Sequence, residues 1–167
     1  MEIKMHSYNS IYNLGHRYLT ELFNGPVIIE EKVDGSQISF GMYEEGIIVK
    51  SKGAILYPPV TNNLFKDAYN YIDSIKDKLI PGWTYRGEVL WRPKHNSLTY
   101  SRIPQHNVVI FDIDSAEEDY MPHALKKLEA ERLDFEVVPL LYEGMITTED
   151  ALIELRNRES FLGGTAI

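Results

Sequence analysis

Lys32-Val33-Asp34-Gly35 is the stretch whose residue types could do chemistry. A lysine amine attacks phosphorus only after losing its proton, and a partly buried strand end with other cations nearby favours the uncharged form. Gly35 permits a tight turn and a close backbone approach, while Asp34 can reach a ribose hydroxyl or a neighbouring cation. The four residues therefore suit a nucleophile for phosphoryl transfer. Alone they are weak evidence: Lys-x-Asp-Gly arises by accident in roughly one chain of this length in a few dozen, and a solvated strand-turn would carry the same residues.

A second stretch, Arg92 to His106, interleaves cations with aromatic rings: Arg92, Lys94 and Arg102 beside Trp91, His95 and Tyr100. That mixture suits a groove for a nucleic-acid strand, in which rings stack on bases and cations meet phosphates, and equally an ordinary hydrated loop. With Arg86 the region from 86 to 106 carries an excess of positive charge over its one acid, Glu88, whereas Asp112, Asp114, Glu117, Glu118 and Asp119 form a wholly acidic cluster. Seventeen Lys and Arg against 25 Asp and Glu give a net charge of −8, which argues against a protein that coats nucleic acid through a broadly basic face. The absence of cysteine excludes disulfides, thiolate zinc sites and cysteine nucleophiles. The five histidines show no metal-ligand spacing, so no metal-binding residues can be named.

The elements that must position these groups read as follows. Residues 9–23 carry apolar side chains at close to helical spacing and stop at Gly25-Pro26, so a helix is expected there. VIIEEKV, SQISFGMY and GIIVKSK are β-branched runs separated by Gly35 and by residues 44–46, which reads as three antiparallel strands. A helix over 64–79 ends at Pro81-Gly82. WTYRGEVLW and NVVIFDID are strands, joined by a long loop through Pro93 and Pro104. A helix over 122–133 with Pro122 in its first turn, a strand FEVVPLL and a last helix over 148–157 capped by Thr148 complete the chain. Runs of strands broken by helices, without strict βαβ alternation, favour an α+β fold with antiparallel sheets. The 167 residues suit one domain. No apolar run approaches the roughly 18 residues that span a bilayer, and MEIKMHSYNS lacks the apolar core of a signal peptide, so a cytoplasmic location without membrane partners is the default.

Three further stretches follow Lys32-Val33-Asp34-Gly35 in order, each on or beside an expected strand: Ser51-Lys52-Gly53, Tyr85-Arg86-Gly87-Glu88 and Val109-Ile110-Phe111-Asp112-Ile113. Together they resemble motifs I, Ia, III and IIIa of the covalent nucleotidyltransferases, the superfamily of DNA ligases, RNA ligases and capping enzymes. GEVLWRPKHN, VVIFDID, FEVVPLLYEG and the opening NLGHRYLTELFNGPVIIEEKVDGSQ are similar to the RNA ligase branch typified by the second RNA ligase of phage T4. The resemblance covers nearly the whole chain.

The resemblance implies a nucleotidyltransferase domain over residues 1–167, antiparallel sheets flanked by helices. It implies that ATP is the substrate, Mg²⁺ or Mn²⁺ the cofactor, and RNA or DNA strand ends the partners, in a bacterial or phage-infected cell. Lys32 would take up AMP; Glu31 would offer its backbone carbonyl to the adenine; Asp34 and Glu88 would contact the ribose, Glu88 also lying near a metal; Phe111 would stack on the base. Gly35 completes the nucleotide-binding set, and Lys52 stands where the family more often has Arg, losing the bidentate fork. Without the resemblance, Phe111 would read as core and Glu88 as a solvent-facing strand residue. Motifs IV and V find no counterpart; Glu143-Gly144-Met145 resembles motif IV but is expected in a strand-to-helix connection. The domain is thus expected to be C-terminally incomplete, feeble or inactive in self-adenylylation by itself, and unstable or prone to self-association; a fragment, a truncated reading frame and one half of a split enzyme, whose second polypeptide supplies the missing motifs, are the open alternatives. A DNA ligase, a capping guanylyltransferase and a degenerate nucleotide- or nucleic-acid-binding module are the competing readings.

Overall fold

The computed structural model describes residues 5–164. Seven strands form two sheets. β2 (Ser36–Tyr43), β3 (Gly46–Ser51), β4 (Thr84–Val89), β5 (Val108–Asp114) and β6 (Glu136–Val137) make a five-stranded sheet in the order β3-β2-β4-β5-β6. β1 (Pro26–Glu30) and β7 (Leu140–Met145) pair antiparallel as a separate two-stranded sheet. Helices α1 (Lys66–Ser74), α2 (His123–Arg132) and α3 (Glu149–Leu155) lie between or after the strands. This is the expected α+β fold, with one parallel pair, β5 to β6, created by the α2 crossover.

Strand alternation builds the core. Ile38 and Phe40 of β2, Val49 of β3, Tyr85 of β4 and Ile110 of β5 are buried with Ala68, Tyr69 and Ile72 of α1 and Ala130 and Leu133 of α2. The opposite parity of β5 serves a smaller second cluster, where Val109 meets Val33, Leu90, Tyr100, Val138 and Leu162. Fully burying aliphatic and aromatic side chains of this kind stabilises by roughly 1.5–3 kcal/mol each, so the five-stranded sheet and its helices are the rigid part of the scaffold.

Several expected elements differ. The helix over 9–23 is absent: only Arg17–Leu19 forms a single 3₁₀ turn, and no residue of 9–23 is buried. Ile11 and Tyr18 are more than 60% exposed, so the apolar stripe meets no surface, and a short helix without a buried face is not stable in water. Gly15, at φ +86°, also turns the chain out of helical geometry. The β2–β3 hairpin forms as expected, but β1 leaves it to pair with β7 and ends at Glu30. FEVVPLL is two strands rather than one: Pro139 lacks the N–H a ladder needs, and the chain changes sheets there. Glu143-Gly144-Met145 lies inside β7, paired with Ile28, Val27 and Pro26, and not in a connection.

The helix over 64–79 is α1 followed by a separate 3₁₀ turn, Lys76–Lys78, and Pro122 caps α2 from outside rather than entering its first turn. Thr148 caps α3 as expected, its side chain accepting from Ala151 N at 3.2 Å. Residues 165–167, at the terminus on which the expectation of incompleteness rests, lie outside those described. Among the described residues no helix is long and apolar enough to cross a membrane.

Candidate nucleotide-binding site

The segment joining the two sheets, Glu31 to Gly35, carries the candidate nucleophile. Glu31 and Val33 are each 3% exposed and face inward; Lys32, between them, is exposed and lines a cavity of about 700 Å³. Val33 sits in the second cluster. The Glu31 carboxylate accepts from Ser160 Oγ and from Phe161 N at 3.1 Å, and its own N–H donates to Pro139 O at 3.3 Å. Lys32 is therefore held by anchored neighbours. It is not the partly buried strand residue expected from the sequence, because the strand stops two residues earlier.

Glu88 and Phe111 line the same cavity. Gly35 brings Glu88 close: a Cβ at position 35 would fall 2.3 Å from Val89 O and 2.9 Å from Glu88 Cγ. That proximity lets Gly35 N donate to Glu88 Oε1 at 3.0 Å. Burial pushes the Glu88 carboxyl up to about 7, against the hydrogen bond from Gly35 and the charges of Lys32 and Lys52, with Asp34 adding to the rise. A carboxyl half ionised near neutrality can accept from a hydroxyl or meet a cation.

Phe111 owes its placement to an irregularity of β5. Arg86 pairs with Asp112 and Gly87 with Ile110, so Phe111 is the extra residue of a bulge. A bulge turns a side chain out of the regular alternation. It lifts the ring from the second cluster, where it is only partly buried, to the cavity wall. Tyr8 meets it edge-on, with ring centroids 5.0 Å apart and planes at 74°. Lys52 also lines the cavity, exposed on the turn after β3, which Ser51 closes through its hydrogen bonds with Ala54.

Asp34 has partners other than the expected ribose. Its Oδ2 accepts from Ser97 N at 2.9 Å and Leu98 N at 3.0 Å, its Oδ1 accepts from Asn96 Nδ2 at 3.3 Å, and its N–H donates to Tyr100 Oη at 2.8 Å. Asn96 Nδ2 also donates to Gly35 O at 2.7 Å, and His95 Nε2 lies 2.9 Å from Ser36 Oγ. Burial raises the Asp34 carboxyl, but these hydrogen bonds and the Lys32 charge together hold it below the usual carboxylate range. The long loop is thus latched onto the Lys32 turn.

The cations of the 86–106 region, including the three expected to hold a strand (Arg92, Lys94 and Arg102), are dispersed. Arg86 is fully buried in a paired contact with Asp114, and Arg102 makes a bidentate pair with Glu136 at 2.7 and 3.0 Å. Arg92, over the Trp91 ring at 4.9 Å, and Lys94 are exposed on the loop, and neither lines the cavity.

Sequence reasoning missed Tyr8, Glu30 and Asp112, which line the cavity, and His123 and Lys126, which back Glu30 from α2. Lys126 donates to both Glu30 oxygens and to Phe111 O; His123 Nδ1 lies 2.6 Å from Glu30 Oε1; Tyr8 donates to Asp112. Asp112 adjoins Phe111 and Glu30 adjoins Glu31, so adjacency was the one available signal; a lysine on an outer helix carried none.

Residues 25–162 match the sequence profile of the RNA ligase family. The chain belongs to that family. Among solved structures it is similar to an RNA ligase of Naegleria gruberi with pyrophosphate, at TM-score 0.71 and 15% identity over 89% of this chain and 46% of that one. Two variants of the same enzyme, each with ATP and manganese, match at TM-scores 0.70 and 0.72, with 15% and 14% identity, over 89% and 99% of this chain and 46% and 52% of theirs. Likeness at that identity is a likeness of fold, and the chain spans about half the length of these ligases. No curated protein sequence matches.

Proposed function

We propose that the chain is the adenylylation domain of an ATP-dependent RNA ligase resembling the phage T4 branch, in which Lys32 forms a covalent bond to AMP. The observation that carries this reading is the meeting of Lys32, Glu88 and Phe111 on one cavity of about 700 Å³ in a chain of the RNA ligase family. That volume is in the range of small-molecule sites.

The Lys32 amine attacks the α-phosphorus of ATP; a nitrogen–phosphorus bond forms, the bridging oxygen–phosphorus bond breaks, and pyrophosphate leaves. AMP then passes to a 5′-phosphate end, and a 3′-hydroxyl displaces it to join the strand. Phe111 lies against the adenine, a role its flat apolar face suits, and Glu31, whose side chain is occupied by Ser160 and Phe161, offers its backbone carbonyl to the base. Glu88 receives the ribose. Asp34 acts one step back, through the loop it holds, with Gly35 allowing the close approach. Lys52 faces the phosphates as a point charge. Among the described residues no three carboxylate or imidazole groups converge into a metal site. A Mg²⁺ or Mn²⁺ ion would therefore be held chiefly by phosphate oxygens and water with Glu88 beside it, and would neutralise charge on the phosphates. Arg92 and Lys94 remain the candidates for contacting a strand. Arg102, already paired with Glu136, is a weaker one.

Intact-protein mass spectrometry after incubation with ATP and Mg²⁺ tests the reading. A gain of one AMP that disappears in Lys32→Ala is the expected result. A chain that binds ATP and gains no mass, alone or with a polypeptide supplying the last two motifs, would be a nucleotide-holding module. Sealing of nicked RNA against nicked DNA decides the substrate.

A further inference from the structure

Lys126, a cation on α2, is 2% exposed. Its three ammonium hydrogens have three acceptors: Glu30 Oε1 at 2.6 Å, Glu30 Oε2 at 2.8 Å and Phe111 O at 2.8 Å. Glu30 ends β1 two residues before Lys32, and Phe111 is the bulged residue of β5. No ladder hydrogen bond joins β1 to β5, because they belong to different sheets. A burial this complete costs several kcal/mol per ion unless the charge is paired and every hydrogen is used, and here both conditions are met. His123 adds a second contact to Glu30, and Asp112, held by Tyr8, stands 4.0 Å from the ammonium.

Resting on the adenylylation reading, we infer that Lys126 is a positioning residue: it ties the segment bearing the nucleophile to the strand bearing the base-stacking ring and so sets the distance between them. Lys126 does not line the cavity. Its effect passes through the Glu30 carboxylate and the Phe111 carbonyl. A bulge carbonyl has no ladder partner at that point, so the ammonium both fixes the bulge and orients its ring.

Lys126→Met alone would leave the Glu30 carboxylate without its ammonium partner, with only the His123 contact remaining, and could unfold the chain, so the decisive protein is the double variant Glu30→Gln/Lys126→Met, in which both charges are gone. Three readouts are taken on the full chain: the melting midpoint, the rate of the AMP adduct under single-turnover conditions beside the ATP dissociation constant, and backbone hydrogen exchange over residues 30–35 and 108–114. The expected result is a folded protein whose adduct rate falls about 10- to 100-fold, as for a reacting atom misplaced by about 1 Å, with ATP affinity changed much less. Exchange over the two segments should quicken about tenfold while the remaining core is unaltered. An adduct rate equal to that of the unaltered chain overturns the inference. If the unaltered chain forms no adduct, even with a polypeptide supplying motifs IV and V, the adenylylation reading fails, and exchange still decides the tether: quickened exchange confined to the two segments supports it, and unchanged exchange refutes it.

Discussion

Replacing Glu88 by Gln should make the protein more stable at alkaline pH while damaging the proposed site. Burial lifts the carboxyl from the ordinary 4.5 to about 7 in the folded chain. A rise of that size corresponds to about 3 kcal/mol of discrimination against the carboxylate. The folded protein keeps the Glu88 proton up to about pH 7, whereas the unfolded chain releases it near 4.5. Between those values the folded state binds more protons, so the stability attached to this group is complete at low pH and is lost as pH rises through 7. Gln cannot ionise, and its amide oxygen can still accept from Gly35 N. The difference in unfolding free energy, variant minus unaltered chain, should therefore climb by up to about 3 kcal/mol between about pH 5 and pH 8. Urea denaturation across that range measures it, and titrating groups remote from Glu88 cancel in the difference. A difference that stays flat from pH 5 to pH 8 would refute the assignment of a perturbed carboxyl at this position. The same variant should form the AMP adduct more slowly, because the ribose loses a charged acceptor. A variant more stable yet less active is the expected mark of a group kept at a cost for function.

Asp34→Ala should release the 92–106 loop by leaving the N–H groups of Ser97 and Leu98 without their acceptor. The expected loss is about 2 kcal/mol, with earlier proteolytic cutting inside the loop. Because the folded carboxyl lies below its usual range, that contribution is present above about pH 4 and fades as acid protonates it. Phe111→Leu keeps an apolar side chain at the bulge but removes the ring, so ATP affinity should fall about tenfold, in line with about 1–3 kcal/mol for stacking on a base. Equilibrium ATP binding measures it, and an unchanged dissociation constant would remove Phe111 from the site.

What was legible in the sequence was what local pattern encodes. β-Branched runs bounded by turn residues marked β2 and β3, strand-like runs marked β4 and β5, and Gly35 marked a close approach that the Val89 carbonyl now explains. Lys32, Lys52, Glu88 and Phe111 do share one cavity. What was not legible depended on partners far along the chain. The 9–23 segment has helical spacing but no surface to bury it against, and spacing alone cannot reveal that. Asp34 could have served a ribose or a neighbouring backbone; only the fold brings Ser97 and Leu98 to it. Arg86 and Arg102 counted as free positive charge until Asp114 and Glu136 were found against them. The bulge that frees Phe111 is a matter of register between β4 and β5, which neither strand declares.

The same distinction bears on how this site tolerates change. Lys32 lies on the stretch between β1 of the small sheet and β2 of the large one, one of two links between the sheets with Val138-Pro139, and the two sheets share no ladder. Backbone hydrogen bonding fixes each sheet internally and crosses the junction at the β6–β7 link, where Val138 N donates to Ile110 O and Glu31 N to Pro139 O; side chains add the remaining restraint: Lys126 on Glu30 and Phe111, and Glu31 on Ser160 and Phe161. A ladder loses one bond in many when a residue is changed, whereas a junction of a few charged contacts loses a large share of its restraint with each. Substitutions in the β2–β4–β5 core should accordingly be read out in melting temperature, and substitutions at the junction in the rate of adduct formation at temperatures far below melting.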